Sequence, residues 1–384
     1  MKNVSRRFAL AIPAVAVAMG LALAAPVRAE VKIGVIASTT GPGASLGIPY
    51  RSVYTNLPPQ IAGQPARFII LDDASDPSTS VKNARKLIDE EKVDVILGPT
   101  FTPGCLAVSD VAVEAKVAMM CLAPVVVPPV KMPWVFSIPQ SVPVMIAGVV
   151  EHLKANNGKT IGYIGFADGW GDLVLKALEA TAGPAGIKIV ASERYNRPDT
   201  SVNAQVLKIM AAKPDAVLVG GSGTPATTPH IALKERGFAG TIYHTHGVIG
   251  ADFIRVGAKN VEGTVAPTGP LMVAEQLPDA NPIKKVALDF FAKLSPAYPQ
   301  VRNAFSGYSY DAFLLVQAAV TPAMAKAKPG SPQFRQALRD ALEGTKEVVG
   351  THAVYTMSPT DHNGVDGRAR VLVRVEGGQW KLLK

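Results

Sequence analysis

Few side chains in this sequence have the types and spacing that catalysis or metal binding requires. Asp72 and Asp73 could form a carboxylate pair for acid–base chemistry, but neighbouring residues of a strand point to opposite faces. Asp361-His362-Asn363-Gly364 offers metal-competent side chains, yet Asn-Gly favours a tight turn. The sequence contains no H-E-x-x-H motif and no phosphate-binding P-loop. We therefore predict a protein that is not an enzyme, with no catalytic residue, no cofactor and no metal ion.

The two cysteines, Cys105 and Cys121, leave two interpretations open. Cys105 falls at the start of a predicted helix and Cys121 near the end of the next predicted strand. A disulfide between them would contribute ~3 kcal/mol in the chain-entropy model. Two buried thiols are the interpretation that we favour from the sequence, because a bridge requires a geometry that the sequence does not define.

The first 29 residues have the pattern of an export signal. Lys2, Arg6 and Arg7 precede an uncharged run over 8–25, and small residues surround Ala29. A basic region, an apolar run and a small-residue cleavage site are typical of a secretory signal peptide. We predict cleavage near Ala29 and a location in the periplasm.

The charge and length of the remaining chain narrow the choice of partners. The predicted signal peptide holds four of the 39 basic residues and none of the 30 acidic ones, so the rest of the chain is only mildly basic. No block of Lys or Arg suits a phosphate backbone, and we predict no nucleic acid partner. Roughly 355 residues remain, which is long for one core and fits two domains.

Short apolar runs alternate with helical stretches, and this pattern occurs twice along the chain. The first set of predicted strands covers 31–36, 67–71, 93–97 and 117–122. The second set covers 161–166, 187–190, 216–219 and 241–244, with a late strand at 371–375. Helices are predicted at 78–91, 172–182, 201–212, 226–236 and 304–320. Asp76 and Pro77 suit the N-cap and first helical position of the 78–91 helix.

This alternation predicts an α/β protein with two mostly parallel sheets, each covered by helices on both faces. Two such domains leave a cleft between them. In open parallel sheets, ligands bind beyond the carboxyl ends of the strands. The loops at those ends are 38–47, 98–105, 123–130, 167–171, 220–225 and 245–249.

The order and spacing of several short motifs resemble the periplasmic solute-binding proteins of ABC importers, of the leucine/isoleucine/valine-binding type. The motifs include Val31-Lys32-Ile33-Gly34, Thr40-Gly41-Pro42, Leu71-Asp72-Asp73, Val95-Ile96-Leu97-Gly98-Pro99, Pro214-Asp215-Ala216 and Tyr310-Asp311-Ala312. The resemblance implies a type I two-lobed fold with three hinge crossovers. Lobe I would hold residues 30–138 and 271–350, and lobe II residues 139–270 and 351–384. It also implies a monomer that captures a small carboxylate and delivers it to an ABC permease in the inner membrane.

The resemblance places the ligand carboxylate at the loop that contains Thr102. Thr102 falls at the position of the carboxylate-binding serine of the amino-acid-binding relatives and keeps its hydroxyl group. Hydroxyl and backbone N–H groups at a helix N-terminus can hold an anion without a buried countercharge. The alternative is that Thr102 only caps the helix.

The main departure from the family pattern is His246. It falls where amino-acid binders present an acidic residue to the ligand ammonium, and an imidazole cannot replace that carboxylate. We therefore expect a carboxylate ligand that lacks an α-amino group. The alternatives are a structural histidine, or a shifted register in which Asp252 pairs with an ammonium.

The other predicted ligand-binding residues also come from the resemblance. They are Leu46, Phe101, Val125, Val126, Trp170, Ser222, Thr224 and Phe305. An apolar slot with aromatic walls and an anion-binding end suits an aromatic or hydrophobic acid. A branched-chain or other amino acid is the alternative ligand, and a ligand sensor that docks on a receptor is the alternative function.

Overall fold

Two sheets organise the chain, of which the computed structural model describes residues 29–383. The predicted signal peptide covers residues 1–29, of which residues 1–28 lie outside the described residues. The first sheet contains β1 (Val31–Ala37), β2 (Gln60–Ile61), β3 (Gln64–Asp72), β4 (Val95–Leu97), β5 (Ala118–Cys121) and β6 (Val135–Ser137). Their order is β2-β3-β1-β4-β5-β6, and every pair except β2–β3 is parallel.

The second sheet begins later in the chain and takes its last strands from the C-terminal region. Its parallel part consists of β7 (Thr160–Phe166), β8 (Lys188–Tyr195), β9 (Ala216–Gly220), β10 (Thr241–His244) and β11 (Val265–Thr268). A small pair, β12 (Val348–Val349) and β13 (Val354–Tyr355), precedes the antiparallel strands β14 (Val371–Glu376) and β15 (Gln379–Leu382). The order of the second sheet is β15-β14-β11-β10-β9-β7-β8.

Helices pack on the sheets, as the alternating pattern predicts. They are α1 (Ala44–Asn56), α2 (Pro77–Arg85), α3 (Thr102–Ala115), α4 (Val142–Ala155), α5 (Gly169–Ala182), α6 (Asn203–Ala211), α7 (Thr227–Glu235), α8 (Ala251–Gly257), α9 (Pro282–Leu294), α10 (Ala304–Met324) and α11 (Pro332–Glu343). The predicted cap of α2 is confirmed, because the Asp76 carboxylate accepts from the Thr79 N–H at 2.7 Å. Among the described residues, no helix is long and apolar enough to cross a membrane.

The two-lobed prediction is confirmed, and we call the part built on the first sheet lobe I and the part built on the second sheet lobe II. The chain passes between the lobes after β6, after β11 and before β14. Gln140, in the first crossover, accepts a hydrogen bond from the Tyr308 hydroxyl at 2.6 Å and donates to the Ala369 carbonyl at 3.0 Å. In the third crossover, the backbone N–H of His352 donates to Asp311 at 3.1 Å. The first and third crossovers are therefore tied to buried side chains of α10 in lobe I.

A disulfide joins Cys105 to Cys121, with their Cα atoms 6.0 Å apart. The preference for two buried thiols is therefore wrong. Cys105 lies in the first turn of α3, and Cys121 ends β5, the strand that follows this helix. Both residues are fully buried, and the sheet edge brings them together at a distance that a disulfide spans.

Candidate ligand-binding cleft

A cavity lies between the two lobes. It is formed mainly by loops that follow parallel strands, which is where this class of sheet binds ligands. Lobe I contributes Leu46, Tyr50, Thr100, Phe101, Thr102, Leu122, Ala123, Pro124, Phe305 and Tyr308. Lobe II contributes Trp170, Arg197, Ser222, His246 and Gly247, and Pro139 lies at the first crossover.

The N-terminus of α3 forms the polar part of the lobe I wall. Thr102 is the first residue of the helix, and its hydroxyl donates to the Pro124 carbonyl at 2.8 Å. The N-cap residue is Phe101, whose side chain makes no capping hydrogen bond. The alternative in which Thr102 caps the helix is therefore wrong. The uncapped helix end retains the partial positive charge that attracts an anion.

Glycine shapes the loop that leads into α3. Gly98 follows β4 with φ of +109°, a backbone conformation that favours glycine. A Cβ atom at this position would also collide with the Ile36 carbonyl of the neighbouring strand. This close approach lets Thr100 lie next to β1, where its Oγ1 accepts from the Ser38 N–H at 2.9 Å. Thr100 reaches the cavity wall, although the sequence analysis did not select it as a ligand-binding residue.

Aromatic side chains form the apolar part of the lobe I wall. The rings of Tyr50 and Phe305 are 5.8 Å apart, and the Tyr50 hydroxyl donates to the Leu122 carbonyl at 2.6 Å. Leu46 and Phe101 complete this surface, so the predicted positions of Leu46, Phe101 and Phe305 all lie at the cavity. An apolar wall with aromatic side chains suits an aromatic ring.

Trp170 and His246 form the opposite wall, in lobe II. Their rings meet edge to face with centroids 5.5 Å apart. The Trp170 indole N–H donates to the Gly221 carbonyl at 3.3 Å, which fixes the ring. Thr245 also donates to Gly221, at 2.9 Å, and holds the loop that carries His246. The two side chains therefore lie on loops that support each other.

His246 is 2% exposed, and neither of its ring nitrogens has a hydrogen-bond partner among residues 29–383. Burial lowers the pKa of His246 to about 3, and His352 adds a smaller effect in the same direction. The imidazole is therefore neutral at neutral pH, with one nitrogen able to donate and the other able to accept. Buried polar atoms are rarely left unpaired, so His246 is suited to meet a polar group of a ligand.

Arg197 is a cavity residue that the sequence analysis missed. It follows β8, and the prediction ended that strand at residue 190, whereas the strand continues to Tyr195. Its Nε donates to the Asp168 carboxylate at 2.6 Å and its Nη1 to the Ser222 hydroxyl at 3.3 Å. Had the predicted strand included residues 191–195, Arg197 would have fallen in one of the loops that were expected to form the cleft.

Three predicted ligand-binding residues lie outside the cavity wall. The chain turns outward after Pro124, so Val125 and Val126 line a separate outer groove, and Val126 is 70% exposed. Thr224 lies where the lobes meet, and its N–H donates to the Ser45 hydroxyl at 3.1 Å. The prediction that these three residues line the cavity is therefore wrong.

The Asp252 alternative is also wrong. Asp252 lies in the first turn of α8, is exposed, and pairs with Arg255 at 2.8 Å. It contributes nothing to the cavity wall, and no other carboxylate lines the cavity among the residues that the structure describes.

Two further patterns that could suggest chemistry have structural roles. His362 stacks on Phe136 with ring centroids 4.1 Å apart and contacts Glu343, and no group of acidic, His or Cys side chains within 29–383 is arranged to hold a metal ion. Residues 43–47 have the G-x-S-x-G spacing of a hydrolase nucleophile elbow. The Ser45 hydroxyl, however, accepts from Thr224 and has no histidine partner within the described part of the chain.

Residues 30–379 match the family model described as "Periplasmic binding protein", so the chain belongs to this family. It is a type I member, homologous to Leu/Ile/Val-binding proteins. The predicted family and fold are confirmed.

Three comparisons show how similar the relatives are. An extracellular ligand-binding receptor from Rhodopseudomonas palustris HaA2 is 44% identical, with a TM-score of 0.90 over 92% of this chain and 100% of that chain. The Leu/Ile/Val-binding protein BraC3 of Rhizobium johnstonii is 24% identical over 341 residues, which cover 85% of this chain and 87% of the relative. The substrate-binding protein LivJ of Streptococcus pneumoniae, solved with isoleucine, is 18% identical with a TM-score of 0.77, covers 92% of this chain and 98% of its own, and supports the fold alone. The relatives are named as binding proteins or receptors, which supports a binding function rather than catalysis.

Proposed function

We propose that this protein is the extracytoplasmic substrate-binding component of an ABC importer. It captures a small carboxylate without an α-amino group between its lobes and delivers it to a permease in the inner membrane. An aromatic or otherwise hydrophobic acid is the favoured ligand class. We also propose that the protein is periplasmic. It acts as a monomer, because a single chain supplies both walls of the cavity.

The charge of the cavity wall is the observation that carries this proposal. Arg197 is its one charged side chain among the described residues, and no carboxylate lines it. A buried ammonium group without a counter-charge costs several kcal/mol. An anion meets the opposite situation, since the uncapped end of α3 favours negative charge and the Arg197 guanidinium, although paired with Asp168 at 2.6 Å, retains N–H donors for an anion.

The lining of the cavity supports the choice of an aromatic or hydrophobic acid. Tyr50, Phe305 and Trp170 give the cavity aromatic surfaces from both lobes. Burial of apolar ligand surface then provides affinity, while the few polar groups orient the carboxylate.

A thermal-shift and calorimetric screen of the full chain tests the proposal. The panel contains benzoate, phenylacetate and hexanoate, each paired with its primary amide, together with leucine and valine. A ligand at 100 times its dissociation constant stabilises the protein by about 2.7 kcal/mol, which shifts the melting temperature by a few degrees.

Stabilisation by one or more of the acids, with no effect of leucine or valine, supports the proposal. The relatives named for Leu/Ile/Val binding make the amino acids the essential comparison. Stabilisation by leucine or valine alone would show that the ligand class is wrong and that the protein binds branched-chain amino acids. A permease gene beside the coding gene would favour import, and a receptor gene would favour ligand sensing.

A further inference from the structure

Arg197 combines a charge, partial burial and incomplete hydrogen bonding at the cavity. Its side chain is 13% exposed, and its guanidinium lies over the Phe166 ring at 4.2 Å. Lobe II of an amino-acid binder needs a negative group to meet the ligand ammonium, and this chain presents a positive one instead. A charge with so little contact with water requires specific polar partners.

Asp168 fixes the orientation of this guanidinium. One carboxylate oxygen of Asp168 accepts from Arg197 Nε at 2.6 Å. The other oxygen accepts from the N–H groups of Trp170 at 2.9 Å and Gly171 at 3.3 Å, and so caps α5. The same carboxylate therefore positions the arginine and the helix that carries the Trp170 wall.

Most hydrogen-bond donors of Arg197 remain available. A guanidinium has five N–H groups, and here one donates to Asp168 and one to the Ser222 hydroxyl. The other three have no partner within residues 29–383. The planar arrangement of these donors suits the two oxygens of a carboxylate.

We propose that Arg197 is the specificity-determining residue of lobe II and binds the carboxylate of the captured acid. Asp168 acts as a positioning residue that holds the guanidinium toward the cavity. The carboxylate then lies between this cation and the N-terminus of α3, which approach it from different lobes. These two elements are close together, because a Cβ atom at Gly169, next to Asp168, would lie 3.8 Å from the Thr102 side chain. The inference rests on the proposed function, because it requires that the ligand is an acid.

The test compares Arg197→Gln with a matched arginine variant, Arg194→Gln. Arg194 lies on β8, three residues before Arg197. It pairs with Asp172 of α5 at 2.7 Å and donates to the Phe166 carbonyl at 2.7 Å, but it is outside the cavity. Calorimetry measures the dissociation constant of each variant for benzoate, phenylacetate and hexanoate and for their primary amides. Arg197→Gln is expected to weaken acid binding by about 10-fold or more and amide binding by much less. Arg194→Gln is expected to change neither by more than about 3-fold.

Two further variants separate binding from folding. Arg197→Lys keeps the charge but loses the planar pair of N–H donors. It should therefore retain part of the preference for acid over amide that Arg197→Gln loses. Asp168→Asn keeps the helix cap and frees the arginine, so it should lower the same preference while the melting temperature stays close to that of the wild type. Melting temperatures of all variants show whether each one folds, and the ratio of acid to amide affinity does not depend on small losses of stability.

The possible outcomes distinguish the proposed function from the proposed role of Arg197. If the wild type binds none of the acids, the proposed function fails, and the role of Arg197 fails with it. If the wild type binds an acid and Arg197→Gln binds it equally well, the proposed function stands and the role of Arg197 is refuted. An equal loss for acid and amide would also refute it, because that result indicates a structural role.

Discussion

At the scale of single residues, a buried neutral histidine, His246, is the main polar side chain of the Trp170 wall. His246 is buried against Trp170 and keeps both ring nitrogens unpaired among the described residues. Its lowered pKa keeps the ring uncharged over the whole physiological range. The side chain can therefore accept or donate one hydrogen bond without repelling a bound anion.

The substitution His246→Glu is expected to weaken binding of the captured acid by about 10-fold or more, since it adds a buried charge of the same sign as the ligand. His246→Gln keeps a neutral polar group and should cause a smaller loss. Calorimetric titration with the tightest acid of the panel compares the two variants. Equal dissociation constants for His246→Glu and the wild type would place His246 outside the binding site.

At the scale of elements, the lobes meet where the start of α1 faces the loop after β9. Thr224 donates its N–H to the Ser45 hydroxyl across this contact. Gly223, which has φ of +61°, donates to the Gly247 carbonyl at 2.8 Å and links the loop to the one that carries His246. The Ser45–Thr224 bond joins two lobes, so it forms only when the lobes are close together.

Ser45→Ala is expected to weaken ligand binding by about 2- to 10-fold, because it removes one hydrogen bond of the closed form and changes no residue of the cavity wall. Ser52→Ala is the matched control, since the Ser52 hydroxyl donates to the Ile48 carbonyl within the same helix. Calorimetry gives the affinities, and small-angle scattering shows how compact each variant is without ligand. The same affinity and the same radius of gyration for both variants would contradict a role of the contact in closure.

At the scale of the whole molecule, buried histidines dominate the response to acid. Burial lowers the pKa of His230 to about 4 and the pKa values of His246 and His352 to about 3, from an ordinary value of 6.5. Each of these groups contributes stability that is present above pH 6.5 and is lost as the pH falls toward the folded-state pKa. Burial raises the pKa of Asp311 to about 6, from 3.8, so its contribution has the opposite sign and is lost as the pH rises.

The free energy of unfolding should therefore fall as the pH decreases from 6.5 to about 4.5. Each buried histidine adds a slope of about 1.4 kcal/mol per pH unit. Burial also lowers the pKa of His244, so four buried histidines oppose Asp311 and two further aspartates, Asp73 and Asp94, whose pKa values burial raises. Urea unfolding at pH 7.5, 6.5, 5.5 and 4.5 measures this dependence. His352→Asn should have a shallower slope than the wild type, whatever its stability at pH 7.5, and parallel curves would contradict this explanation.

The sequence predicts the architecture better than it predicts the site, and particular residues show why. The strands and helices follow from apolar periodicity, which local sequence carries, and the cap at Asp76 follows from residue type. Val126 was misplaced because the outward turn after Pro124 depends on packing between elements. Arg197 was missed because the predicted end of β8 was too early in the chain. The loop residues expected at the cleft were chosen from the predicted strand ends, so this error excluded Arg197.

The disulfide between Cys105 and Cys121 has a consequence for how the chain is made. It ties the first turn of α3, three residues beyond Thr102, to the end of the next strand. Disulfides persist in oxidising compartments, whereas a reducing cytosol keeps cysteines as thiols. Protein produced in such a cytosol would hold the N-terminal turn of this helix by packing and hydrogen bonds alone. Synthesis in the two compartments thus yields two chemically distinct molecules with the same sequence, which differ by two hydrogen atoms in that turn and the strand that follows it.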